Sequence, residues 1–469
     1  MRKGLVGADE RKVAAMTDGD GGTRWTRVTT AAELMDAVRD EAPAIHVDGT
    51  LRGMPMLTLA PGVRLRGGTL VFGARGLRLT RDNTLEDVTV HCPDHEIAVG
   101  NTGGAGAAGL GTLTLRRVRT RGQVLLLAAD DVRSGHVAVE GLTVEAADLR
   151  GRAARPHGFG VDALQGAFTL WNLHADPAAV ITAELLDIAA GSAAEPVRGS
   201  GVFVGGHGSW EGTGDGGTVR VGLLRTGEIH TDGGIPEGTP DLISGGVFVI
   251  SGARVEKVHT AGSVTTYGQN DMVLDNWGQV VDWEATAPVT SKGPSGIGFV
   301  NFGDIDRLDV RAPLTTHGVG ARGFNVYEGT LRHAAFDSIT TTGDGAVGVQ
   351  VSKDLPYLDI RGDLVTAGGI GSSLVRGVQL DLAATALSVK PGGRIGRMTV
   401  GGRIAGSGDG VVTVDVDGAL DRLTAGGGIR AEGRGADAVR LAGAADRRLD
   451  LSGVEITAAD GRTVVHAGE

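Results

Sequence analysis

Short apolar runs recur along this chain at an interval of 25 residues. Three consecutive segments, residues 271–295, 296–320 and 321–345, superimpose without a gap. Each opens on an alternating run, MVLDNWG at 272–278, IGFVNFG at 297–303 and RGFNVYEG at 322–329. Each closes on an apolar residue, two small hydroxyl or polar residues, a variable residue and glycine: VTSKG, LTTHG and ITTTG. Strands have a two-residue side-chain period, and a 25-residue unit holding only short strands cannot bury its apolar face alone. The pattern therefore predicts an all-β solenoid of about 25 residues per coil. The echo extends upstream to GVFVISG (246–252) and GVFVGG (201–206). Downstream it reaches GVQVSK (348–353), GVQLDL (377–382) and VVTVDVDG (411–418), giving at least eight turns between about His157 and Leu441.

The N-terminal part reads differently. Thr30 can cap a helix over residues 30–41, in which Ala31, Leu34, Ala37 and Val38 share one face. Alternating segments follow from IHVDGTL (45–51) to GTLTLRRVRTRG (111–122). The first coil of a solenoid exposes unpaired backbone and apolar surface, and the helix is the candidate cover. The expected organisation is a flexible segment at 1–24 and one solenoid domain over 25–469, with loop-bearing coils at 200–245.

Composition sharpens this picture. Eighty glycines in 469 residues without a tripeptide period fit frequent tight turns, and 4% aromatic content leaves the core to Val, Ile, Leu and Ala. A net charge of −11 with scattered Lys and Arg argues against nucleic acid, and no apolar stretch has the length to cross a bilayer. Without a hydrophobic centre near its start the chain reads as cytoplasmic, or as secreted if an export signal has been removed. The single cysteine, Cys92, excludes an intrachain disulfide.

The order of parts resembles the right-handed parallel β-helix superfamily of pectate-lyase-like enzymes. The likeness rests on an A-x-x-L-x-x-A-V helix (Ala31, Leu34, Ala37, Val38), a V-x-G step at Val47 and Gly49, then coils of three strands. It implies a right-handed coil and a habit of acting on carbohydrate, and it brings no catalytic motif that maps onto particular residues.

The repeat allows both faces of a strand to be read. Leu274, Phe299 and Phe324, with Phe203, Phe248 and Val349, form an inward row. One step away lies an outward row of Asp162, Val204, Val249, Asp275, Val300, Asn325, Gln350 and Gln379. A second outward row holds Ser251, Trp277, Phe302, Tyr327, Ser352 and Asp381. Trp277, Phe302 and Tyr327 then stack at roughly 4.8 Å intervals. Three readings of them are open: a sugar-binding strip, a subunit interface such as that of a trimer, or rings stacked on each other beneath a loop. Between the outward rows, Asn276 and Asn301 point inward and are placed to form an amide ladder.

The residue before each closing glycine makes a further row, Asp232, Tyr267, Lys292, His317 and Thr342. An acid, a phenol, an amine and an imidazole on adjacent coils can set one another's proton affinities; an ordinary solvated turn is the plain alternative. Two insertions lie nearby. HGSWEGTGDGG (207–217) carries Trp210 and Asp215, and GIPEGTPDLIS (234–244) carries Glu237. Glycosidic cleavage requires two carboxylates around the scissile bond. Asp232 and Asp275 are the first pair, with Glu237 and Glu328 as substitutes; Tyr267, Lys292, His317, Trp277, Phe302, Tyr327, Asn325 and Trp210 are the candidate substrate contacts. The expectation is an enzyme cleaving or transferring glycosidic bonds of a poly- or oligosaccharide, with no cofactor and no metal. A uronate lyase or epimerase, with Lys292 or His317 as base and Tyr267 as acid, is the alternative. A non-catalytic binding or structural solenoid is the opposing class. The G-x-G-x-x-G match at Gly104, Gly106 and Gly109 leads into a strand instead of a helix and is not read as a dinucleotide site.

Overall fold

The structure is a computed structural model that describes residues 15–17, 24–101, 109–375, 378–442 and 449–467. The glycine pattern around Gly104 and most of the 1–24 segment lie outside the described residues. Within that segment, Ala15–Thr17 pairs antiparallel with Arg24–Val28.

The chain winds into a parallel β-helix with three strands per coil. In the regular region the first side is built by Asp271–Asn276, Ile297–Asn301, Arg322–Val326 and Val347–Val351. The second side is built by Gln279–Ala285, Asp304–Val310, Thr330–Phe336 and Asp354–Ile360. The third is built by the three-residue strands Val289–Ser291, Leu314–Thr316, Ile339–Thr341 and Leu364–Thr366. Every strand pairs with its counterpart one coil on, so Met272, Ile297, Arg322 and Val347 stack in register 25 residues apart. Near the N-terminus the period is shorter. Ile45, Leu65 and Leu85 stack 20 residues apart, with left-handed residues such as Gly62 and Asp82 at the corners.

The helix Ala31–Arg39 lies where the pattern places it. Thr30 and Glu33 form a reciprocal capping box, and Leu34 and Ala37 are buried against the first coils. The core is a continuous shaft of Val, Leu, Ile and Phe running from Val28 to Leu441.

Two features of the sequence reading change. The inward row on the first side is Val202, Val247, Leu274, Phe299, Phe324 and Val349, not Phe203 and Phe248, which pair with each other and then with Asp275. The GVFV segments sit one residue out of the expected register, and a one-residue slip moves a side chain to the opposite face. Phe203 and Phe248 therefore point outward, into a second apolar cluster with Trp171, Trp277 and Tyr327. The GVQLDL segment is no coil. Ile370–Val375 and Val378–Ala383 form an antiparallel hairpin, and the first side resumes at Leu387–Val389. Gln379 and Asp381 thus leave the outward rows. Asp162 leaves as well, since Val161–Ala163 is half of a hairpin with His157–Gly158 that docks beside Leu242–Val249.

Candidate functional site

Excursions from the coil build the site. The hairpin around residues 157–163 lies over the outer face of the first side, and its tip residue Phe159 adopts a left-handed backbone (φ 53°). Its ring stacks on Phe302 at 4.6 Å and meets Trp277 edge-on at 5.4 Å. The close fit depends on two glycines. A Cβ at Gly158 would lie 2.8 Å from the Trp277 ring, and one at Gly212 would lie 2.3 Å from Phe159.

Trp277, Phe302 and Tyr327 do stack along one row, with Phe302 and Tyr327 nearly parallel at 5.1 Å. They do not form an open strip, because Trp277 is 4% and Tyr327 8% exposed beneath the hairpin. Of the three readings of the row, rings stacked beneath a loop is what the fold contains. Phe302 alone remains half-buried. Asn276 and Asn301 form the expected amide ladder, with Asn276 Nδ2 donating to Asn301 Oδ1 at 2.9 Å.

Two spaces meet at the Phe159, Trp277 and Phe302 rings. The inner one is a cavity of about 80 Å³ lined by these rings with Tyr327, Met272, Ile297, Asp275, Asn270 and Arg322. Asp275 is fully buried, and neither carboxyl oxygen has a hydrogen-bond partner. Desolvation pushes its pKa well above the usual carboxylate range; the Trp277 indole N–H points towards the carboxyl and tempers this without closing a hydrogen bond. Asp275 therefore holds its proton more tightly than a carboxyl in water does. Asn325, two coils further along the same row, is also buried with neither amide atom partnered.

The outer space is a cleft of about 680 Å³. Stacked backbone at Gly252, Gly278, Gly303 and Gly329 forms its floor, and Phe159 with the 212–216 loop forms a wall. Along it, Arg220, Arg254, Gln279 and Asp304 sit side by side on four successive coils. Glu328, bonded to Lys353 Nζ at 2.7 Å, and Asp215, bonded to His207 Nδ1 at 2.6 Å, also line it.

Of the residues singled out in the sequence, the structure brings Asp275, Trp277, Phe302 and Tyr327 to the inner cavity and Trp277, Phe302 and Glu328 to the cleft. The first carboxylate pair is separated. Asp232 lines neither space, and its carboxylate is held by Arg198 at 2.5 Å and by the backbone of Gly234. Glu237 is exposed on the 234–244 loop and also lines neither. Tyr267, Lys292 and His317 do stack at one corner, with Lys292 Nζ 4.7 Å from the Tyr267 ring centre and His317 Nδ1 3.1 Å from Thr342 Oγ1. Burial and the charge of Glu228 raise the Tyr267 pKa, so the phenol is a weaker acid there than in water. Trp210 is 75% exposed and packs at a tilt against the His157 ring, beside a separate depression that also holds His207 and Asp162.

Sequence reasoning missed Arg322, Arg220, Arg254 and Phe159. Arg322 left a signal: the repeat sets it at a position held by Met272, Ile297 and Val347, and a lone charge in an apolar column marks a special environment. Phe159 left none, since it lies outside the repeat.

No protein-family model, curated protein or solved structure matches this chain. Among the described residues, no helix is long and apolar enough to cross a membrane.

Proposed function

We propose that the protein is a carbohydrate-active enzyme that holds a linear poly- or oligosaccharide in the outer cleft and cleaves or transfers its glycosidic bonds. The supporting observation is the cleft itself. Its polar row follows the solenoid axis over four coils, a repeat of roughly 4.8 Å. The backbone floor lets a flat chain lie close, and the half-buried Phe302 ring borders it with Phe159 and Tyr327 stacked on its two faces. The resemblance to pectate-lyase-like proteins points the same way.

Catalysis in this reading moves away from Asp232 and Asp275. Asp215 comes from the inserted loop and Glu328 from the solenoid corner, so carboxylates enter the cleft from two walls, the arrangement that acid and base or nucleophile roles require. Asp304, which accepts from Thr330 Oγ1 at 2.7 Å, is the third acid in the cleft. A second reading, an acidic glycan and lyase chemistry, is favoured by Arg220 and Arg254. These stack on adjacent coils with no carboxylate partner among the described residues, and paired guanidinium groups suit a substrate carboxylate.

The test is incubation with a panel of neutral and uronic polysaccharides, following new reducing ends and the absorbance of unsaturated products. Glu328→Gln and Asp215→Asn are each expected to lower turnover by at least about 100-fold with substrate binding retained. Binding without turnover on every polymer would turn the assignment into a non-catalytic glycan binder. Neither binding nor turnover would remove it.

A further inference from the structure

The inner cavity holds a cation that the glycan reading leaves unused. Arg322 is 1% exposed, which for a guanidinium is nearly complete removal from water. Its terminal nitrogens donate to the Gly320 carbonyl at 3.3 Å and to Ser373 Oγ at 3.1 Å, so the 370–383 hairpin anchors the head from one side. The Nε–H has no acceptor, and no carboxylate among the described residues lies within ion-pair distance. A buried charge without a counter-ion is destabilising by several kcal/mol. Asp309, a carboxylate buried to the same depth, is by contrast gripped by Arg307, Arg311 and Arg361.

The one carboxyl in the same cavity does not neutralise Arg322. Asp275 is out of ion-pair reach, and its burial favours the uncharged acid. The cavity is thus positive, with one carboxyl group able to donate a proton into it and with walls of aromatic and aliphatic carbon. Its size is restrictive. At about 10–15 Å³ per water-sized centre, 80 Å³ admits roughly five to eight non-hydrogen atoms. A free hexuronic acid is too large for it while Phe159 stays seated.

We propose that this cavity is a binding site for a short-chain monocarboxylate, whose carboxylate pairs with Arg322 and accepts from the Asp275 carboxyl while its alkyl group lies against Trp277, Phe302 and Tyr327. Inorganic anions of similar size match the charge but not the apolar walls. The site is separate from the cleft and does not depend on what the cleft binds.

Ligand-observed saturation-transfer NMR on the full chain at pH 7 tests this with isobutyrate, its neutral isostere isobutyramide, and inorganic phosphate as probes. Isobutyrate is expected to bind at least tenfold more tightly than isobutyramide or phosphate, and Arg322→Gln to weaken it at least tenfold. Arg322 is buried and its replacement can disturb the coil, so Phe159→Ala supplies a second reading. The altered residue lies on the hairpin outside the shaft, and its loss is expected to enlarge the site so that benzoate, which the wild type excludes, binds. Equal affinity for isobutyrate and isobutyramide, equal affinity for phosphate, or no isobutyrate binding to the wild type would overturn the proposal.

Discussion

The two faces of the same first-side strands teach different lessons. On the inner face, Leu274, Phe299 and Phe324 repeat one chemistry from coil to coil, and each is enclosed on all sides by the shaft. On the outer face, one residue away, Asp275, Val300 and Asn325 are just as completely buried, yet they share no chemistry and depend on a hairpin inserted more than a hundred residues earlier. Burial on the inside follows from the repeat. Burial on the outside follows from an exception to it, and Asp275 and Asn325 are left there without partners. A solenoid can thus keep its scaffold and its site on opposite sides of a single strand.

The largest expected effect probes the difference in packing. Phe299 lies in the shaft between Trp283 and Phe324, so Phe299→Ala should open a cavity that rigid neighbouring coils cannot close, a loss of about 3–5 kcal/mol. Phe302, three residues away, is half-buried and packed against a hairpin that can shift. Phe302→Ala should be destabilising by no more than about 2 kcal/mol. Urea unfolding of the two variants checks this, and equal losses would show that the outer cluster is as rigid as the shaft.

Acidity separates the faces next. Asp275 on the outer face and Asp271 at the start of the same strand are both fully buried carboxyls, whereas the apolar shaft encloses the thiol of Cys92. Desolvation lifts Asp271 to about 7 despite hydrogen bonds from Ser244 Oγ and the Gly268 and Gly233 amides, and the nearby charge of Asp232 adds to the rise. The folded pKa is above the unfolded one, so between about pH 4 and 7 the folded state binds more protons and stability falls as pH rises. The Asp271 contribution is up to about 4 kcal/mol, fully lost once the pH passes the folded value. Ion-paired carboxylates such as Asp87 and Asp309, held below their ordinary range, act in the opposite sense and at lower pH. Thermal unfolding at pH 5 and pH 8 tests the sign. Asp275→Asn should flatten the slope, since its neutral amide has no proton to lose.

The repeat made the shaft legible. Twenty-five-residue spacing placed the three strands of each regular coil, the helix signature placed the cap, and the position of Asn276 and Asn301 between outward rows gave the amide ladder. The GVFV segments misled because Val247 and Phe248 are both large and apolar, so composition could not decide which of them faces inward. The GVQLDL hairpin misled because its alternation is that of any strand, and only pairing distinguishes a coil from an excursion. For the site, the aromatic row and Asp275 were readable as exceptions within a column. Their cover was not, since Phe159 and the 157–163 hairpin obey no period. Asp232 was assigned to Asp275 on the assumption that one groove collects all outward rows; the triangular section of the coil instead gives each corner its own surroundings.

The smallest expected effects come from three asparagines, and they isolate the same contrast within one residue type. Asn276 and Asn301 sit inside the shaft and satisfy each other. Asn276 donates to Asn301 and accepts from the Gly278 amide at 3.2 Å, while Asn301 donates to the carbonyls of Gly303 and Glu328. Asn276→Val removes one partner and strands the buried Asn301 Oδ1, while the Gly278 amide keeps its bond to the Val249 carbonyl at 3.1 Å, a loss of about 1–3 kcal/mol. Asn325 faces the other way, buried without any partner in a column where the preceding coil carries Val300. Asn325→Val relieves an unsatisfied amide with a side chain the column already accepts, so stability should stay level or rise by about 1 kcal/mol. If Asn325→Val were instead destabilising to the same degree as Asn276→Val, the outer amide would have to be engaged in the folded protein, and the view of the outer face as a store of unmet polar groups would fail with it.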